Sequence, residues 1–76
     1  MQVTTYNTSH GKQIREAFKI ALTKAGLLTD ANLKRLSNVA IKVAKQDRVS
    51  FHWFFENDTN LPSYCDSMVG YIDFIG

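Results

Sequence analysis

Two stretches of the chain repeat their apolar residues at helical spacing, and two others alternate. Between Lys12 and Gly26, residues Ile14, Ala17, Phe18, Ala21, Leu22 and Ala25 recur three and four positions apart, on one side of an amphipathic helix. Thr8 or Ser9 can cap its start. Gly26 stands where the helix should stop, because glycine adopts a left-handed backbone at no steric cost. A second helix is predicted from about Asp30 to Lys45. Thr29 can cap it, Asp30 suits the positive end of its dipole, and Leu33, Leu36, Ala40, Val43 and Ala44 form one stripe.

After Gln46-Asp47-Arg48 the period becomes two. Val49, Phe51, Trp53 and Phe55 fall on one side, and Ser50, His52, Phe54 and Glu56 on the other, as in a half-buried strand. Asn57 to Ser63 is dense in turn formers, and Tyr64 to Ile75 reads as a returning strand, so the two make a hairpin with a long connection. Gln2 to Tyr6 reads as a further short strand, broken by Asn7-Thr8-Ser9-His10-Gly11. The predicted order is β-α-α-β-β. It describes a small α+β domain of two layers, with two helices packed on one face of an antiparallel sheet that contains the C-terminal hairpin.

That arrangement predicts a binding surface. With Phe51, Trp53, Phe55, Met68, Ile72 and Phe74 under the helices, the open sheet face displays His52, Phe54, Glu56, Val69, Tyr71 and Asp73. Phe54, Val69 and Tyr71 then form an apolar patch with a polar rim, the composition of a protein-docking or homodimer surface. The competing expectation is that a loop, the first strand or a split pair of helices covers this face.

Composition narrows the class. At 76 residues the chain has room for one core, so a single domain over residues 1–76 is expected. Hydrophobic residues make up 45% of it, which is globular rather than disordered composition. The lone Cys65 excludes an internal disulfide, and no apolar run is long enough to span a membrane. Both features lead to the expectation of a cytoplasmic protein with no membrane partner. The sequons Asn7-Thr8-Ser9 and Asn57-Asp58-Thr59 read as turn chemistry.

Charge adds a second candidate surface. All nine basic residues lie between positions 12 and 48 with only three acids, a net of +6, whereas residues 49–76 carry four acids and no cation, a net of −4. Lys12, Arg15 and Lys19 on the first helix, with Lys34, Arg35, Lys42 and Lys45 on the second, form a candidate nucleic-acid face. An ordinary solvated helix face has the same composition. Helix one, Gly26 and helix two resemble a helix-turn-helix unit, although the second helix is long for that motif and no third helix is predicted to support it.

For covalent chemistry only Cys65 with His52 offers a nucleophile and a base, and neither a third group nor an oxyanion device accompanies them. His10, His52, Cys65 and Asp66 lack the paired spacings of zinc ligands, so no metal or cofactor is expected. Ser9-His10-Gly11-Lys12 opens a helix where backbone N–H groups can meet an anion, but it lacks the first glycine of a phosphate-binding loop. The expectation is therefore a non-enzymatic module that binds a macromolecular protein partner. Inhibition suits so small a domain, as in phage or mobile-element proteins that occupy the surface of a host enzyme or defence complex. Nucleic-acid binding through the basic face is the alternative.

Overall fold

A computed structural model describes residues 6–72, and within them the chain forms four helices and no strand. They are α1 (Thr8–Ala25), α2 (Asp30–Gln46), α3 (Arg48–Glu56) and α4 (Asn60–Gly70). Each packs chiefly on two others, in the cyclic order α1, α2, α3, α4 and back to α1, so the bundle closes around a single core. Ile14, Phe18 and Leu22 of α1, Leu36 and Ala40 of α2, Phe51 and Phe54 of α3, and Leu61, Cys65 and Val69 of α4 supply it.

The first two helices follow the sequence expectation closely. Asn7, one position ahead of the expected caps, holds the start of α1. Its Oδ1 accepts from the Ser9 and His10 amides, and its own N–H donates to His10 Nδ1 at 3.1 Å, a reciprocal capping box. At the other end Gly26 takes φ 71°, its amide donating to the Thr23 carbonyl while Leu27 N–H reaches the Leu22 carbonyl. This is the Schellman pattern that needs a left-handed residue. Thr29 caps α2 as expected, its Oγ1 accepting from Asn32 N–H at 3.0 Å.

The α+β expectation is overturned in the second half of the chain. Residues 49–56, read as a strand, are helix α3, and residues 64–70 of the expected returning strand belong to α4. Asp47 starts α3: its carboxylate accepts from Val49 N–H at 3.0 Å and from Ser50 Oγ at 2.8 Å. The segment Asn57–Ser63, read as a hairpin connection, is instead a helix-to-helix turn that continues into α4. Asn57 Oδ1 collects the Thr59 and Asn60 amides, and Asn60 Nδ2 donates to the Trp53 carbonyl at 2.9 Å. Pro62 sits in the first turn of α4, where a missing N–H costs nothing. Both sequon asparagines thus serve turns or caps. Of the expected first strand, Gln2 to Tyr6, only Tyr6 lies within the described residues, and it is not in a strand; Asp73, Phe74 and Ile75 also lie outside them.

Candidate functional site

The proposed sheet face does not exist as a surface, because a helix redistributes its members. Phe54 is 2% exposed and Val69 7%, both in the core, whereas His52 and Glu56 are exposed on α3 and Tyr71 is 62% exposed just past α4. Successive strand residues face opposite sides, but residues three apart on a helix share one. Phe51 and Phe54 therefore turn inward together, and Trp53, expected in the core, lies partly exposed on the outer face of α3. Asp73 falls outside the described residues.

The chemical candidates separate as well. Cys65 is sealed in the core, and burial, helped by the negative charge of Asp66, pushes its thiol up to about 12. A thiol so held stays protonated and is a poor nucleophile. His52, its supposed base, lies on an exposed helix face. His10 is buried and structural: its ring lies edge-on to Phe51 and Phe55, both at 4.8 Å between centroids, while Nδ1 accepts the Asn7 amide. The opening of α1 is thus an occupied cap, with Gly11 buried against Tyr6 and Ile41.

Two surfaces remain, and they lie on opposite flanks of α1. On the flank toward α2, Lys12, Arg15 and Lys19 follow one another at helical spacing, and all three are exposed. Arg15 shares a shallow groove with Lys34 and Asn38 of α2, with Leu33 at its base and Asp30 as its acid. Lys45, eleven residues and three turns beyond Lys34, holds its Nζ 5.3 Å from the centre of the Tyr6 ring. Five of the seven cations named from sequence therefore share the α1–α2 face. Arg35 and Lys42 are exposed but sit on another flank of α2, where Arg35 donates to Asn32 Oδ1.

The other flank carries a cleft of about 400 Å³ between α1 and the α3–α4 turn. Phe54, Phe55, Leu61 and Ala17 give it an apolar floor, and Ile20, 56% exposed, and Pro62 form its lip. Gln13 and Glu16 of α1 face Asn57 and Asp58 of the turn across the opening, so its rim holds two carboxylates and no cation. Of the five described residues named for protein binding, only Phe54 takes part, from beneath. No apolar period announces this site, since its parts come from three helices and a turn. The exposed Ile20, outside the α1 stripe, was its one trace in the sequence.

Comparison of the chain with protein-family models, with curated proteins and with solved structures returns no match. Among the described residues, no helix is long and apolar enough to cross a membrane, and no three potential metal ligands cluster.

Proposed function

We propose that the chain is a small non-enzymatic binding module that occupies the surface of a protein partner, and that its docking site is the cleft between α1 and the α3–α4 turn. One observation carries this reading: an apolar recess with a polar rim, fronted by Ile20, a large apolar side chain left mostly in water. Concave apolar sites with a few placed polar groups are where ligands and anchor side chains bind. A phage or mobile-element inhibitor of a host enzyme or defence complex is one setting in which so small a module acts by occupation alone. The test compares tagged wild type with Ile20→Glu in capture from the native host, followed by mass spectrometry. Ile20 is outside the core, so the variant keeps its helical spectrum while losing the captured protein. Equal capture by both proteins removes the cleft from the reading.

The grouping of Lys12, Arg15, Lys19, Lys34 and Lys45 on one face favours a second reading, nucleic-acid binding. Its signature is affinity that falls with salt at a log–log slope of about −0.9 for each duplex phosphate neutralised. Reversal of Arg15, Lys19 and Lys34 to Glu abolishes such binding. No retardation of duplex or single-stranded probes at low salt ends it.

A further inference from the structure

We infer that the cleft selects a peptide segment bearing a large apolar side chain flanked by lysine or arginine, which deepens the protein-docking reading and rests on it. The inference comes from what the cleft combines. Its floor of Phe54, Phe55, Leu61 and Ala17 offers an apolar anchor a place to leave water. Its rim sets Glu16 on one wall against Asp58 on the other, so a cationic neighbour of that anchor meets a carboxylate on either side. Gln13 and Asn57, on the same two walls, supply amides that can donate to and accept from an extended backbone.

The rest of the surface sharpens the choice. Among the described residues, no lysine or arginine lines the cleft; Lys12, Arg15 and Lys19 follow the flank beside α2, and Lys24, one turn beyond Ile20, is the α1 cation nearest the cleft's side of the helix. The rim itself is acidic, and Asp66, one turn beyond Pro62 on α4, adds a further exposed carboxylate on that side. An acidic peptide or a nucleic-acid strand would bring its anions against these carboxylates, and like charges brought together under desolvation cost affinity. A cationic segment gains in approach rate and in register.

Binding is tested with two capped ten-residue peptides, one alternating leucine or phenylalanine with lysine or arginine, the other carrying glutamate in place of each cation. The full chain, labelled with ¹⁵N, is titrated with each, and amide shifts locate the site. The cationic peptide is expected to move the resonances of Glu16, Ile20, Asn57 and Asp58, and the glutamate peptide to leave them. Glu16→Lys with Asp58→Lys weakens the cationic peptide about tenfold and reverses the preference, since each exposed ion pair supplies only a fraction of that factor and reversal adds repulsion. Both positions are exposed, so the double variant keeps its fold, and an unchanged helical spectrum verifies this. Equal binding of the two peptides, shifts centred on the α1–α2 face, or no shift at millimolar peptide overturns the inference. If Ile20→Glu still abolishes partner capture in any of these cases, the cleft keeps its role and only the cationic partner is lost.

Discussion

Val49 and Phe54 exchange roles between a strand and a helix, which makes their substitution a direct measure of the fold. In an alternating strand Val49 lies with Phe51 in the core and Phe54 faces water. In α3 the order is reversed: Val49 is 78% exposed and Phe54 2%. Phe54 also packs on the ring of Tyr64, 4.7 Å between centroids, and so ties α3 to α4. Phe54→Ala removes a buried aromatic and leaves a cavity, at a cost of about 3 to 5 kcal/mol. A chain of 76 residues is worth roughly 4 to 11 kcal/mol in total. The variant should therefore lose a large share of its stability, and the milder Phe54→Leu, at about 1 to 2 kcal/mol, provides a folded comparison. Val49→Ser removes a mostly solvated side chain and should stay within about 0.5 kcal/mol. Urea denaturation, followed by circular dichroism at 222 nm and by Trp53 fluorescence, measures both. A loss on Val49→Ser equal to or greater than that on Phe54→Leu would refute the inward turn of Phe54.

Other outcomes follow from single features. Cys65 should resist a thiol reagent at pH 8 while the protein is folded and react freely in denaturant; its thiol titrates near 12 when buried, so folding opposes thiolate formation and loses stability as pH rises past the ordinary value of 9.0. Fast labelling of the native protein contradicts that burial. The carboxyl of Asp47 is held below its ordinary 3.8 by the hydrogen bond from Ser50 and the Ser50 and Val49 amides. The stabilisation it gives α3 is thus complete above that pH and is lost as pH falls through the lowered value. Asp47→Asn should flatten this acid limb in melts between neutral pH and pH 2, and an unchanged limb removes the carboxylate from the account. Gly26→Ala places a Cβ on a left-handed backbone and should cost about 1 kcal/mol in the same urea assay, even though nothing crowds the site. A neutral substitution would mean that the turn relaxes.

The candidate site was the least legible part of the chain. Its floor includes Phe54 and Leu61, which alternation and turn composition had assigned to an open sheet face and a connection. Its acids, Glu16 and Asp58, lie 42 positions apart and come to one opening only because α1 and the α3–α4 turn meet. The basic face fared better. Lys12, Arg15 and Lys19 sit on a helix whose register the sequence already defined, although only the packing of α2 against α1 decided that Lys34 and Lys45, and not Arg35 and Lys42, join them.

By itself the amino-acid order determined the first half: α1, the Gly26 stop, the Thr29 cap and α2. There the apolar period, the caps and the helix propensity of Ala, Leu, Lys and Arg all agree. In the second half the signals conflict. Phe51, Trp53 and Phe55 satisfy a period of two, while Phe51, Phe54 and Phe55 satisfy three and four, and the aromatic and β-branched content favours a strand. Leu61, Tyr64, Cys65, Met68, Val69 and Ile72 form an unbroken helical stripe that Leu61-Pro62 disguises as a turn. Only tertiary packing chose between the two. An aromatic run with two workable periods adopts the one whose buried face finds a partner, and here α1 and α2 present a groove that accepts two more helices.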